Sequence, residues 1–189
     1  MLPEKKNMKI EKYGLGIFTI ADFISSKECD EYIAFSESKD YEIAEIQTQD
    51  GPLVMQEIRN NDRVIYDDVQ FAEKLFQVAK ELLPASIDDW EICGLNERFR
   101  FYRYEKNQYF KWHKDGSYAR HEKERSFLSF IVYLNDDFVG GATAFRFDKI
   151  QPKKGSVLVF PHALLHQGDP VESGVKYVLR TDVMYRQKT

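Results

Sequence analysis

Hydrophobic positions follow a helical period in the first half of the chain. In residues 67–84, DDVQFAEKLFQVAKELLP, apolar side chains recur every three or four residues, at Ala72, Leu75, Phe76, Ala79, Leu82 and Leu83. Asp67 is placed to cap this helix, and Pro84 to end it. An earlier stretch, residues 25–35, begins with Ser25 and has Glu28 three residues later, the spacing of a capping box. The pattern therefore predicts two helices before residue 90.

From about residue 91 the pattern changes to short β-branched and aromatic runs bounded by Gly, Pro, Asn or Asp. These runs are RFRFYRY (98–104), SFLSFIVYLN (126–135), GATAFRF (141–147), GSVLVF (155–160) and VKYVLRTDVMY (175–185). GLGIFTI (14–20) is a further strand candidate near the N-terminus. We expect a mainly β fold, an antiparallel sandwich or barrel with the N-terminal helices packed outside one sheet. A single domain is expected over residues 1–189, with about 1–90 as support and about 91–187 as the barrel core.

Composition narrows the class of protein. The chain has 189 residues, of which 43% are hydrophobic, so it can bury a core, and its net charge is −4. The acidic balance argues against nucleic acid as a partner, although basic and aromatic residues interleave in 98–114. No apolar run has the length of a membrane span, and residues 1–10 lack the apolar core of a signal peptide. We expect a cytoplasmic protein with Cys29 and Cys93 as reduced thiols.

One of the four histidines is placed with an aspartate for metal binding. His113 and Asp115 are two residues apart, so on a strand both side chains point to the same face. With a second histidine they would form a facial triad, which leaves open positions on Fe(II). His121 lies in the charged stretch ARHEKERS, typical of a solvated loop. His162 and His166 both follow the strand SVLVF, and spacing alone does not separate them. A histidine hydrogen-bonded to the backbone is the alternative for either.

The last predicted strand carries cations on one face. Lys176, Val178, Arg180 and Asp182 are two residues apart in succession and share that face. A lysine and an arginine facing a core are costly unless they meet an anion, which a dicarboxylate would supply. An edge strand with a polar face toward water is the alternative. RNNDRV (59–64) is interpreted either as a loop whose Arg59 or Arg63 contacts a substrate, or as a turn.

Several motifs in order resemble the iron and 2-oxoglutarate-dependent dioxygenases, most of all their prolyl 4-hydroxylase-like branch. They are RFYRYEKNQYFKWHKDGS (100–117), FIVYLNDDFVGGATAF (130–145) and GSVLVFPHALLHQGDPVESGVKYVLRTDVMYR (155–186). The resemblance covers residues 91–187 well and the N-terminal half more loosely, through RNNDRV. It implies a double-stranded β-helix, also called a jelly roll, with the two helices against one sheet.

The resemblance also implies roles for individual residues. His113, Asp115 and His166 match the iron ligands, His166 because it precedes a Gly-x-x-Val and lies ten residues before a basic residue. That residue, Lys176, matches the partner of the distal carboxylate of 2-oxoglutarate, and Arg180 could assist or replace it. Further residues match the cosubstrate pocket or are expected to contact the substrate: Tyr104 and Tyr133 for the cosubstrate, with core packing as the alternative for each, and Arg59, Arg63, Arg100 and Tyr102 for the substrate.

The activity that this resemblance implies is hydroxylation of a C–H bond, coupled to decarboxylation of 2-oxoglutarate to succinate and CO2. Fe(II), 2-oxoglutarate and O2 are the expected cofactor and cosubstrates, with ascorbate as a candidate reductant. A protein or peptide is the expected substrate, with proline first. The first alternative is the same chemistry on a small metabolite or free amino acid. The second is a jelly-roll module that binds a metal without catalysis. No membrane partner is expected, and the oligomeric state is not determined.

Overall fold

The structure, a computed structural model, describes residues 8–188, without the side chain of Gln47. Most of the stretch that argued against a signal peptide, residues 1–7, lies outside this range. The helices are α1 (Ser26–Glu37) and α2 (Val69–Ala79). The first strands are β1 (Ile10–Gly14), β2 (Ile17–Ile20), β3 (Glu42–Ile43), β4 (Ile46–Thr48), β5 (Gly51–Leu53), β6 (Asp62–Asp67), β7 (Ser86–Ile87), β8 (Trp90–Leu95) and β9 (Arg98–Tyr104). The remaining strands are β10 (Phe110–His113), β11 (Ala119–His121), β12 (Glu124–Tyr133), β13 (Val139–Gly140), β14 (Thr143–Phe145), β15 (Lys149–Ile150), β16 (Val157–Pro161), β17 (His166–Gly168), β18 (Val171–Ser173) and β19 (Lys176–Gln187).

Two antiparallel sheets form the body of the fold. The larger has the strand order β1-β2-β16-β12-β19-β9-β6-β3, and β8 also pairs with β19. The smaller has the order β10-β17-β14-β15. Side chains from both sheets pack into one shared core, so the sheets face each other. This arrangement is the predicted double-stranded β-helix with helices on one sheet, and the prediction is confirmed.

Alternation along the strands of the larger sheet separates two cores. On β9, Phe99 and Phe101 belong to the core beneath the helices, whereas Tyr102 and Tyr104 belong to the core between the sheets. Helical aromatic rings reach the outer core, as Phe71 of α2 does against Phe99, with ring centroids 4.5 Å apart. The inner face is thereby kept for the polar and aromatic side chains that line the cleft.

The start of α1 is as predicted, and the start of α2 is not. Glu28 N–H donates to Ser25 Oγ and Ser25 N–H donates to a Glu28 carboxylate oxygen, which completes the capping box. The prediction that Asp67 caps the second helix is wrong, since Asp68 accepts from the Phe71 N–H at 2.9 Å. Asp67 is the last residue of β6, and its carboxylate pairs with Arg98 instead. The helix ends at Ala79, before the predicted stop at Pro84.

The predicted strand over residues 14–20 is a hairpin rather than one strand. β1 ends at Gly14 and β2 begins at Ile17. Between them Leu15 and Gly16 have φ of +51° and +78°, left-handed values that reverse the chain. The N-terminal half also supplies β6, which pairs with β9 and was not predicted as a strand.

Cys29 and Cys93 are both free, with Cys29 buried and Cys93 half-buried. Between residues 8 and 188, no helix has both the length and the apolar character that crossing a bilayer requires.

Gly155 connects the segment before α1 to the turn before β16 through backbone hydrogen bonds. Its carbonyl accepts hydrogen bonds from the N–H groups of Phe23 and Ile24, and its φ is +80°. An added Cβ would lie 2.4 Å from the Ile24 carbonyl oxygen. We expect Gly155→Ala to lower the free energy of unfolding by roughly 2 kcal/mol, because a left-handed conformation and a backbone clash coincide.

The control is Gly94→Ala, where a Cβ meets nothing within 4 Å. We expect this variant to keep the stability or gain up to about 1 kcal/mol. Urea denaturation of both variants measures the difference, and equal stabilities would contradict this account of Gly155.

Candidate metal centre

Three predicted ligands meet at one end of the smaller sheet. His113 is the last residue of β10, and it lies opposite His166, the first residue of β17, in the strand register. Asp115 follows β10 by two residues. Its Oδ1 is 3.6 Å from His113 Nε2 and its Oδ2 is 3.7 Å from His166 Nε2. The three donor atoms lie within 4.8 Å of one another, and no other such group of three is found among the described side chains.

Backbone carbonyls orient both imidazoles. His113 Nδ1 is 2.7 Å from the Lys111 carbonyl oxygen, and His166 Nδ1 is 3.0 Å from that of Leu164. A carbonyl only accepts, so each Nδ1 carries a hydrogen and each Nε2 is the ring nitrogen that faces the cluster. Burial lowers the pKa of His166 to about 4, so it is neutral at pH 7. His166 therefore has the tautomer that a metal ligand needs, and the His113 ring is oriented in the same way.

The Asp115 carboxylate is buried and ionised. Burial raises its pKa, but the Arg180 guanidinium lowers it further, to well below the usual range. Arg180 Nη1 is 2.8 Å from Oδ1, and Ser129 Oγ donates to Oδ2 at 2.5 Å. Two imidazoles and one carboxylate on one side of a cavity are the donor set of a facial triad, and the residues fit an iron site.

The other two histidines lie outside this cluster. His121 is exposed and lies 3.6 Å from Glu124. His162 is buried, and its two ring nitrogens bond to Ser129 and Ser126. The geometry thus brings His166 into the cluster and leaves His162 beside it, which residue spacing alone could not decide.

The two cations of β19 lie on the predicted face but have different partners. Lys176 and Arg180 both line the cleft that contains the triad. Arg180 is in ion pairs with Asp115 and, at 3.3 Å, with Asp182. Lys176 Nζ donates to the Gly141 carbonyl at 2.6 Å, and burial lowers its pKa to about 8. Between residues 8 and 188 no carboxylate lies in ion-pair contact with Lys176, and Asp169, the acid that acts on it, pairs with Lys149.

Two predicted tyrosines surround Lys176. Its Nζ lies 5.2 Å from the ring centroid of Tyr104 and 5.7 Å from that of Tyr133. The Tyr133 hydroxyl is 2.8 Å from Thr143 Oγ1. Burial raises the pKa of Tyr104 to about 12 and that of Tyr133 further, so both hydroxyls keep their protons and can donate. The core-packing alternative also holds for both rings, since each is buried between the sheets.

The four residues expected to contact the substrate differ in position. Tyr102 lines the cleft, and the Arg59 guanidinium lies 4.5 Å from the ring centroids of both Tyr102 and Phe110. Arg63 belongs to β6 and pairs with Glu45, whereas Arg100 pairs with Asp182. RNNDRV is thus a connection at residues 59–61 followed by the start of a strand.

Three residues of the site were not predicted from the sequence. Ser129 bonds to Asp115, Thr143 bonds to Tyr133, and the Phe110 ring stacks on His113 with centroids 3.4 Å apart. One signal was present for Ser129, since it interrupts the apolar strand SFLSFIVYLN on the face opposite Phe130. The cleft is open to solvent and is lined by Tyr102, Tyr104, Phe110, His113, Asp115, Ile131, Tyr133, Thr143, His166, Gly168, Lys176, Val178 and Arg180.

Comparison with known proteins confirms the resemblance. Residues 99–181 match the family model of the 2OG-Fe(II) oxygenase superfamily. A PKHD-type hydroxylase of Synechococcus sp. (strain CC9902) is 32% identical over 73 residues, which are 35% of this chain. The matched segment spans 32% of that relative, about a third of its length. The family implies Fe(II), 2-oxoglutarate and O2, and the triad described above fits that iron.

Solved structures share the fold. The viral collagen prolyl hydroxylase of Paramecium Bursaria Chlorella virus-1, in complex with 2-oxoglutarate, has a TM-score of 0.66 at 24% identity, covering 92% of this chain and 97% of its own. A Trichoplax adhaerens prolyl hydroxylase bound to a hypoxia inducible factor peptide has a TM-score of 0.67 at 14% identity, covering 89% and 83%. A Pseudomonas putida prolyl-4-hydroxylase has a TM-score of 0.64 at 16% identity, covering 92% and 94%. At these identities the likeness shows the fold.

The cluster predicts which histidine a metal needs. We expect His166→Ala to weaken Fe(II) or Mn(II) binding by more than about 100-fold, since loss of an outer partner of a ligand already costs 10- to 100-fold. Anaerobic titration calorimetry measures the affinity. His121→Ala removes an exposed histidine outside the cluster and should bind as the wild type does. Equal affinities in the two variants would mean that the metal binds elsewhere.

Proposed function

We propose that this chain is an Fe(II)- and 2-oxoglutarate-dependent dioxygenase that hydroxylates a protein or peptide side chain, with proline first among the candidates. The reaction would decarboxylate 2-oxoglutarate to succinate and CO2, with ascorbate as a candidate reductant. The observation that carries the proposal is the buried Lys176, a cation that has no acidic partner among the described residues and shares one cleft with the triad. A buried ammonium is costly unless it meets an anion, and a dicarboxylate cosubstrate would supply one.

Each part of the cleft has a proposed task. His113, Asp115 and His166 would hold the iron, which when bound supplies the oxidant for the C–H bond together with 2-oxoglutarate and O2. Lys176 would pair with the distal carboxylate of the cosubstrate, beside donors from Tyr104 and Tyr133. Those rings exclude water from the pair, which strengthens a charge-assisted hydrogen bond. Arg180 has two carboxylate partners already, so we assign it to Asp115 rather than to the cosubstrate.

The substrate side is assigned from position. Arg59 lies on Phe110, which stacks on His113, so this arginine is one ring away from a metal ligand. We assign Arg59 and Tyr102 to the edge where a substrate would enter, and Arg63 and Arg100 to supporting ion pairs around it. The solved structures named above include a collagen prolyl hydroxylase and a prolyl hydroxylase in complex with a peptide of hypoxia inducible factor, which supports a peptide substrate. A small molecule remains the second candidate class.

Turnover of the cosubstrate tests the activity. We expect purified protein with Fe(II), 2-oxoglutarate and O2 to release succinate, and to release more with proline-containing peptides than with free amino acids. His113→Ala should abolish release because it removes a ligand. Larger stimulation by free amino acids would support the small-molecule alternative. Tight iron binding without any succinate would support the non-catalytic module.

The pKa of Lys176 gives this proposal a pH dependence. Burial lowers that pKa to about 8, against about 10.4 for a free lysine, so the ammonium is charged at pH 7 and neutral well above pH 8. Only the charged form pairs with a carboxylate. We expect the dissociation constant for 2-oxoglutarate, measured anaerobically on the Mn(II)-loaded protein, to rise about tenfold per pH unit above pH 8.

Two variants separate the cations of β19. Lys176→Met should bind 2-oxoglutarate more than about tenfold more weakly at pH 7 and lose the pH dependence. Arg180→Met should weaken metal binding, because Asp115 then lacks its partner, while the pH dependence of cosubstrate binding persists. A steep pH profile that survives in Lys176→Met would rule out Lys176 as the anchor.

A further inference from the structure

His162 is a buried histidine next to the metal centre that the proposed chemistry does not use. It is 5% exposed and lies in the turn between β16 and β17. Its Nδ1 is 2.9 Å from Ser129 Oγ, and its Nε2 is 2.8 Å from Ser126 Oγ. Both serines lie on β12. Every polar atom of the ring therefore has a partner, as buried polar groups normally do, and both partners are serines of the strand that contacts Asp115.

The hydrogen bonds around His162 run in one direction. Ser129 Oγ–H donates to the ionised Asp115, so the single serine hydrogen is used there and its oxygen must accept from His162. The proton of the neutral imidazole is thus on Nδ1, and Nε2 accepts from Ser126 Oγ–H. Ser126 Oγ in turn accepts the backbone N–H of Tyr118 at 2.9 Å. The chain leads from Tyr118 through Ser126, His162 and Ser129 to Asp115.

The backbone of His162 holds the same aspartate. Its carbonyl accepts the Asp115 N–H at 3.0 Å, and its own N–H donates to the Phe127 carbonyl at 2.9 Å. Asp115 follows the end of β10 and lies outside the strand ladder. One residue therefore contacts both the main chain and, through Ser129, the carboxylate of this predicted metal ligand.

We infer that His162 is a positioning residue of the metal centre, which fixes the Ser129 hydroxyl so that its hydrogen is kept on Asp115 Oδ2. Arg180 holds the other carboxylate oxygen, so together they allow the carboxylate one orientation. Without the Nδ1 donor, the Ser129 hydroxyl is free to rotate, and the ligand loses its fixed partner. This inference rests on the metal site of the proposed function, but the hydrogen-bond chain exists in the metal-free protein and is testable there.

The tautomer of His162 is the first test and needs no variant. We expect 15N NMR of the metal-free protein at pH 7 to show a neutral His162 with the proton on Nδ1 and a bare Nε2. A proton on Nε2 would overturn the inference, because Ser129 would then donate to His162 and not to Asp115. This result is independent of whether the protein binds iron or turns over 2-oxoglutarate.

A double-mutant cycle is the second test. We expect His162→Leu and Ser129→Ala each to weaken Mn(II) binding by about 10- to 100-fold. If His162 acts through Ser129, the double variant should bind Mn(II) with the same affinity as the single variant that binds it less tightly. His162→Asn keeps an N–H donor near the Nδ1 position and should recover most of the affinity lost in His162→Leu. Multiplied losses in the double variant, or no recovery with asparagine, would overturn the inference.

Ser156→Ala is the matched control for loss of a buried serine. Ser156 donates to the Lys153 carbonyl and has no part in the chain to Asp115. The Ser156→Ala variant should retain the Mn(II) affinity of the wild type even if its melting temperature is lower. Suppose that the wild-type protein binds Mn(II) and releases succinate, but the losses of affinity multiply in the double variant. That result would refute the role of His162 and would not affect the proposed function. Wild-type protein that binds no metal would refute the proposed function.

Discussion

The buried ion pair between Asp115 and Arg180 is the interaction on which the site depends. Asp115 follows a strand of the smaller sheet, and Arg180 belongs to the larger one, so the 2.8 Å contact joins the two layers where the cleft begins. A carboxylate in this position is stable as an anion because the Arg180 guanidinium pairs with it and a serine hydroxyl donates to it. Arg180 is thus already paired with a carboxylate, whereas Lys176, the other cation of β19, has none in ion-pair contact among the described residues.

The two cations of β19 give the two ends of the cleft different net charges. Arg180 and Arg100 are matched by Asp115 and Asp182, so that part of the cleft is nearly neutral before any metal binds. Lys176 retains an uncompensated charge among aromatic rings, where water is scarce and attraction to an anion is strong. With the proposed metal at one end and the lone ammonium at the other, the cleft would suit a molecule that chelates with one end and carries a negative charge at the other.

Strand alternation provides the scaffold for this arrangement. On β12, Phe130 faces the helices, whereas Ser129 and Tyr133 face the opposite sheet. The helices therefore pack on a continuous apolar surface, and polar groups stay on the inner face where hydrogen-bond partners exist. Because β12 contributes to both cores, the strand that packs against the outer core also carries Ser129, the hydrogen-bond partner of Asp115 and His162.

The sequence alone determined the features that depend on neighbours a few residues apart. The capping box of Ser25 and Glu28, the mainly β pattern after residue 91 and the shared face of Lys176 and Arg180 follow from local periodicity and short-range hydrogen bonds. Even locally, the cap lies at Asp68 rather than at the predicted Asp67, because Asp67 pairs with Arg98 on another strand.

The tertiary structure decided which histidine joins the cluster. Without the family resemblance, the sequence did not separate His162 from His166. The partner of Arg180 and the contacts of Ser129 were likewise seen only in the structure. Ser129 is 14 positions from Asp115 and 33 positions from His162 in the sequence. The pairing of the strands brings these residues together.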